Sequence, residues 1–201
     1  MPENSDAILI IENYGGKFIM KKGIILYQSK YGATKKYAEW LQAATNFDCG
    51  ETAKAVPDEI SEYGTIILCG GIYASGIAGI SFLKKNIDKL KDKRIAILCV
   101  GASPYDENAF ENIKTRNLTD ALKGIPIFYG RGAWDESKMK FMDRTLCKIL
   151  QKSVAQKDPD TYEPWMKALM CAAGQTCDWT DPKYLTPLLD YLKGQPETEV
   201  K

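Results

Sequence analysis

Four short apolar runs constrain this chain more than any other feature: GIILYQ at Gly23–Gln28, TIILCG at Thr65–Gly70, RIAILCVG at Arg94–Gly101 and IPIFY at Ile125–Tyr129. Each is too short for a buried helix and apolar at both alternations, so each reads as a strand covered on both faces. Between them lie stretches with helical spacing. Thr34 to about Ala44 sets Tyr37, Ala38, Leu41 and Ala44 on one face, Ile80–Leu90 repeats the pattern, and Asp106–Leu122 is mostly helical. A weaker pattern places one more strand near Asp48–Ala53. Strands alternating with helices predict an α/β three-layer sandwich: a five-stranded parallel sheet, order 2-1-3-4-5, with helices on both faces. Pro126 lacks a backbone donor, which suits the fifth strand to an edge.

Beyond the fifth strand the pattern changes. Ser137–Lys152 is amphipathic, with Met139, Met142, Leu146, Ile149 and Leu150 apolar; it predicts a helix packed on the core, its Lys138, Lys140, Arg144 and Lys148 in solvent. Lys157–Asp181 is irregular, with a short helix at Pro164–Ala173 opened by proline. With Trp165 and Trp179 it is expected to pack locally, to cover a ligand or to form a subunit contact. Pro182–Leu192 is a final helix. One domain is expected over residues 20–193, with a mobile polar tail at 194–201. Met20 opens the stretch MKKGIILY and reads as the natural start, leaving residues 1–19 as an extension.

Composition narrows the chemistry. The chain has no histidine, which excludes a Ser-His-Asp triad, a Cys-His nucleophile and His-ligated zinc or haem. A net charge of +1 gives no field directed at nucleic acid. The six cysteines form no Cys-x-x-Cys pair, and Cys69 and Cys99 sit inside strand runs as small hydrophobes. Ala7–Ile11 is short, apolar and preceded by acids, unlike a secretory signal, so the expected setting is a reducing cytoplasm.

In a sheet of this kind ligands bind beyond the carboxyl ends of the strands. Three loops leave those ends with suitable composition. Ser29, Lys30, Tyr31, Gly32, Ala33 and Thr34 join the first strand to a helix start, where consecutive amides and the helix dipole favour an anion and two hydroxyls add donors. The loop is neither a Walker loop nor Gly-x-Gly-x-x-Gly, so a dinucleotide is disfavoured. The second loop, with Gly71, Ile72, Tyr73, Ala74 and Gly76, is small enough for a flat group to approach its backbone. The third holds Gly101, Ala102, Ser103 and Tyr105, with Asp106 placed to cap the following helix.

Residues 23–35, Gly-Ile-Ile-Leu-Tyr-Gln-Ser-Lys-Tyr-Gly-Ala-Thr-Lys, resemble the phosphate-binding start of flavodoxins in its shorter Ser-x-Tyr-Gly-x-Thr form. The resemblance is to the flavodoxin-like family, closest to the branch of menaquinone-dependent protoporphyrinogen dehydrogenases, and follows the element order from Met20 to Leu150. It implies FMN, its phosphate on Ser29, Thr34 and the amides between them. Tyr31 departs from the usual Ser or Thr. Ile72 or Tyr73 would pack on the isoalloxazine and Tyr105 on its other face, with the flavin itself as the redox centre and no catalytic side chain. The implied function is an FMN oxidoreductase with a quinone acceptor. The alternative is a soluble electron carrier that meets a redox partner protein; such carriers are strongly acidic, unlike this chain. A domain that kept the fold and lost the flavin would not need the intact loop. In the same branch a Gly-rich exit, here Gly130–Trp134, leads into a basic helix, so helix 137–152 could meet anionic lipid or substrate propionates as a peripheral membrane contact. A homodimer is left open.

Overall fold

The computed structural model describes residues 21–194. The reading of Met20 as the start, and the expectations for residues 1–19 and for the tail after Gly194, lie outside the described residues. The chain runs β1 (Lys21–Gln28), α1 (Ala33–Thr45), β2 (Asp48–Glu51), α2 (Pro57–Ile60), β3 (Tyr63–Tyr73), β4 (Gly76–Ile77), α3 (Ile80–Leu90), β5 (Arg94–Gly101), α4 (Glu107–Asn117) and β6 (Ile127–Arg131). It continues through β7 (Ala133–Asp135), α5 (Phe141–Ala155), α6 (Pro164–Ala172), β8 (Thr176–Asp178) and α7 (Thr186–Lys193).

Five strands pair in parallel in the order β2-β1-β3-β5-β6. Leaving out two-residue β4, which folds back on the end of β3, this is the flavodoxin-like order the apolar runs predict. Successive residues part to opposite faces. Ile24, Leu26, Ile66, Leu68, Ile97 and Cys99 pack with Leu83 and Leu90 of α3 and Phe110 of α4. Ile25, Ile67, Cys69, Leu98 and Phe128 pack with Tyr37, Ala38 and Leu41 of α1 and Leu188 of α7. Burial on both faces is why Ile24–Leu26, Ile66–Cys69 and Ile95–Val100 are apolar at every position. Each fully buried Leu or Ile contributes about 1.5–3 kcal/mol.

Several boundaries move for identifiable reasons. β6 starts at Ile127, not Ile125, because Pro126 has no amide to donate, although its carbonyl accepts from Ile97 N at 2.9 Å. Asp106 is extended and caps α4 by accepting from Ala109 N at 2.8 Å. α4 stops at Asn117, whose buried amide accepts from Ile77 N at 2.9 Å and donates to the carbonyls of Ser75 and Ile113, both at 2.8 Å. Asn117 thereby pins the β3–β4 hairpin. The helix expected over Ser137–Lys152 begins only at Phe141, since Glu136–Lys138 form one 3-10 turn and Lys140 is extended.

Between β6 and α7 the chain leaves the sheet. β7 pairs antiparallel with β8, and Val154, Met166 and Leu169 form a small third core with Trp134, Tyr162 and Trp165. Lys157–Asp181 is therefore more ordered than its sequence suggests. α5 does not pack as expected. Its Phe141, Met142, Leu146, Ile149 and Leu150 are 79%, 67%, 60%, 59% and 43% exposed, while Val154 is 2% exposed. Both roots of this excursion are tied to one side chain. Tyr37 of α1 donates its hydroxyl to Arg131 O at 2.7 Å and accepts from Asp181 N at 3.2 Å. Burial pushes that hydroxyl up to about 12, so it remains a donor throughout the neutral range.

Tyr37→Phe keeps the ring and leaves a carbonyl and an amide without this partner. We expect a loss of about 1–3 kcal/mol, read as a lower urea midpoint with an unchanged slope. A midpoint equal to the parent's would show that the hydroxyl does not hold the two roots.

Candidate functional site

The carboxyl ends of β1, β3 and β5 open on one side of the sheet. At the end of β1, Ser29 Oγ accepts from Gly32 N at 3.1 Å and folds the loop into a tight turn. Gly32 is the N-cap of α1 at φ 99°, a conformation L side chains rarely adopt, while a Cβ there would meet nothing within 4 Å. The demand for glycine is thus conformational rather than steric. No side chain caps α1. Its first amides have no intrahelical partners, and the dipole adds partial positive charge at the same point.

That helix start opens on a cavity of about 370 Å³, within the ~300–1,000 Å³ common for small-molecule sites. The cavity brings together Ser29, Tyr31, Ala33 and Thr34 from the first loop, Gly71, Ile72, Tyr73 and Ala74 from the second, and Gly101 and Ala102 from the third. The β3–β4 turn is tight, with Ala74 and Ser75 both at positive φ. Tyr73 bridges two loops: its hydroxyl accepts from Lys30 N at 3.2 Å, and its ring lies 4.6 Å from the Lys30 ammonium.

Five residues expected at the site do not line this cavity. Gly32 shapes the turn and Gly76 lies in β4. Lys30 is paired with Asp143, and Ser103 faces a neighbouring cavity. Tyr105 packs on Phe110 and Tyr129 with centroids 5.4 and 5.8 Å away, and is 52% exposed. It turns toward α4 because Asp106 behind it is committed to capping.

The far wall comes from the excursion after β6. Gly132, Ala133, Trp134, Met139, Asp143, Leu146, Cys147 and Leu150 all line the cavity. The small pair Gly132-Ala133 directly after a strand has the same composition as the other two loops, and is the signal that marks it. Asp143 fastens α5 to the first loop, accepting from the Tyr31 hydroxyl and from Lys30 Nζ at 3.1 Å. These two bonds hold its carboxyl below the ordinary value of 3.8. Burial, and then the bond to Asp143, pushes the Tyr31 hydroxyl up. Tyr31 is therefore spent on Asp143, and an anion at the helix start is left to the amides, Ser29 and Thr34. Burial pushes the Tyr73 hydroxyl and the Cys147 thiol up as well, so both stay protonated at neutral pH. A protonated thiol is a poor nucleophile. Cys69 and Cys99 are buried free thiols whose ionisation burial also opposes. No cluster of metal-ligating side chains is found among the described residues.

A second cavity, about 170 Å³, adjoins the first and shares Ala102, Trp134 and Leu150 with it. Trp165 and Trp179 supply two further aromatic walls. The Arg131 guanidinium lies 4.2 Å from the Trp179 ring, and its Nε donates to Ala102 O at 3.3 Å.

A parallel sheet with a glycine-turned helix start facing a switch-point cavity defines a class of small α/β ligand-binding proteins. The chain matches the flavodoxin domain family over residues 24–161 and belongs to that family. Solved structures similar to it include the two-electron reduced flavodoxin of Megasphaera elsdenii, at 16% identity, covering 53% of this chain and 82% of that one, TM-score 0.41. A flavoprotein in complex with FMN from Lactobacillus acidophilus NCFM is 19% identical, covering 55% and 92%, TM-score 0.36. A putative flavoprotein from Bacteroides eggerthii is 15% identical, covering 68% and 99%, TM-score 0.38. No curated protein matches the chain.

The clasp can be tested alone. A depressed carboxylate adds its stabilisation above its ordinary value and loses it as pH falls through the lower folded value. The clasp is thus fully formed at neutral pH. Asp143→Asn should speed amide hydrogen exchange in residues 30–34 and in the first turn of α5, leaving the core strands unchanged. Equal protection in both proteins would show that α5 is held by other contacts.

Proposed function

We propose that the chain is an FMN-binding redox protein that grips the cofactor's phosphate at the start of α1. The observation carrying this reading is a helix N-terminus with no side-chain cap, opening directly on a cavity of ligand size. Membership of the flavodoxin domain family supports it. The amides of Tyr31–Thr34, with the Ser29 and Thr34 hydroxyls, would hold the phosphate. The backbone of Gly71–Ala74 and of Gly101–Ala102 would border the ring system, and Tyr73 and Trp134 supply aromatic surface beside it. Bound there, FMN supplies one- and two-electron transfer. The chain's own part is to orient the group, to exclude water with α5 and to keep the Tyr31, Tyr73 and Cys147 groups protonated beside it.

Within this reading the preferred redox partner is a planar organic molecule, a quinone as acceptor, rather than a docking protein. Two features support that preference: the aromatic second cavity beside the first, and a net charge of +1 that gives no acidic docking field. A porphyrinogen is the candidate reductant that the sequence resemblance suggests. The competing reading, a carrier serving a partner protein in a reducing cytoplasm, differs in who reoxidises the protein.

Purification without added cofactor, followed by release and mass measurement of any chromophore, tests the first claim; protein that neither contains nor binds FMN would end it. Reduced protein should then be reoxidised by a short-chain menaquinone analogue without a partner protein, and inertness toward quinones would return the choice to the carrier. Ser29→Ala with Thr34→Val should weaken FMN binding at least tenfold, since a hydrogen bond to a charged group contributes about 1.5–3 kcal/mol. Unaltered affinity would place the phosphate elsewhere.

A further inference from the structure

Five large apolar side chains of α5, Phe141, Met142, Leu146, Ile149 and Leu150, stand 43–79% exposed. With about 3.6 residues per turn they fall on one half of the helix circumference. Single exposed hydrophobics are ordinary; a contiguous stripe on one helix marks an interaction surface. Its borders differ. On one side Leu146 and Leu150 are also part of the cavity wall. On the other, Lys148 and Lys152 stand one turn apart in solvent, with Lys140 at the helix start, and none of the three forms a salt bridge among the described residues. The acid on this helix, Asp143, is engaged by Lys30 and Tyr31. Arg144 is occupied by the carbonyls of Glu136, Ser137 and Met139.

We infer that α5 docks on the surface of an anionic lipid bilayer, its apolar stripe in the headgroup–acyl boundary and its lysines at the phosphates. Three features select this occupant. The stripe joins the Phe141 ring to four flexible non-aromatic apolar side chains on one exposed helix face, which fits a deformable hydrocarbon surface. The lysine border is complementary to anionic headgroups, and long lysine stems let the ammonium reach them while the stripe is buried. A second copy of the chain fits less well, because antiparallel pairing of two such helices sets one lysine row against the other. No helix among the described residues is long and apolar enough to cross a membrane, so the contact is peripheral. Docking through this stripe turns the cavity wall at Leu146 and Leu150 toward the lipid, where apolar quinones dissolve. That last link rests on the proposed quinone acceptor; the docking itself does not.

The test uses the full chain with vesicles of phosphatidylcholine, with and without phosphatidylglycerol, in a flotation assay. The chain should float with the anionic vesicles. Phe141→Ser with Ile149→Ser, both outside the cavity wall, should reduce that binding about tenfold or more without lowering the unfolding midpoint. Lys148→Glu with Lys152→Glu should reduce it most at low salt. The Ser29→Ala/Thr34→Val protein should float like the parent, which separates failure of the cofactor reading from failure of this one. Three results would overturn the inference: no binding to anionic vesicles, binding indifferent to the Phe141 and Ile149 changes, or a dimer in solution that those changes dissociate.

Discussion

Parallel pairing forces every strand of the sheet to end on the same edge. β1, β3 and β5 release their loops side by side, because the register Ile25–Ile67–Ala96 carries through three neighbouring strands. The helices that connect the strands must return along both faces to cover apolar side chains, so none of them roofs that edge. Among the helix starts presented there, that of α1 follows the interior strand β1 at a turn that Gly32 makes accessible without strain. The positive end of a helix, a glycine turn and small-residue loops therefore meet for topological reasons before any ligand is considered. That convergence is the basis of the cofactor reading.

What distinguishes this chain is the segment between β6 and α7. It has a small core of its own, built on Val154, Met166 and Leu169, and is tied to the main domain by hydrogen bonds. Tyr37 is central to them, since one buried hydroxyl satisfies groups at both ends of the excursion. Lys36, one residue earlier on α1, adds bonds to Asp178 at 3.0 Å and Thr180 at 2.7 Å. Gly132 N donates to Gly101 O at 2.7 Å, which prolongs the β5–β6 pairing to the cavity rim. The far wall thus inherits its position from α1 and β5, the same elements that set the phosphate loop and the third loop. Changes in the excursion's sequence can alter what the cavity admits without disturbing the sheet.

The sheet was legible in the sequence because burial on both faces writes itself as unbroken apolar runs at Ile24–Leu26, Ile66–Leu68 and Ile95–Val100. The first loop was legible because a strand, a glycine and a helix start are consecutive in the chain. The far wall was not. Met139, Asp143, Leu146, Cys147 and Leu150 come within reach of Ser29 and Tyr31 only through packing across more than a hundred residues, and no local pattern encodes that. Helical periodicity in α5 identified the apolar face, but the core expected to cover it is not there among the described residues. An amphipathic helix produces the same pattern whether its face meets a core or a bilayer. Tyr105 shows the opposite limit: its position after β5 suggested a ring contact, while its neighbours Phe110 and Tyr129 draw it to α4.

The two edges of α5 follow from one geometric fact. A helix has a single circumference, and here one arc carries Asp143 and Cys147 toward the cavity in its first turns and Val154 toward the small third core in its last. The apolar arc that remains has no layer among the described residues to receive it. Leaving Phe141, Met142 and Ile149 in water forgoes about 1.5–3 kcal/mol for each side chain that burial would cover. Serine or lysine at these positions would keep the helix and its clasp to Lys30 intact, so the fold does not require the apolar choice. Because Leu146 and Leu150 belong to both the exposed stripe and the cavity wall, an apolar surface pressed on α5 becomes continuous with the cavity's own lining.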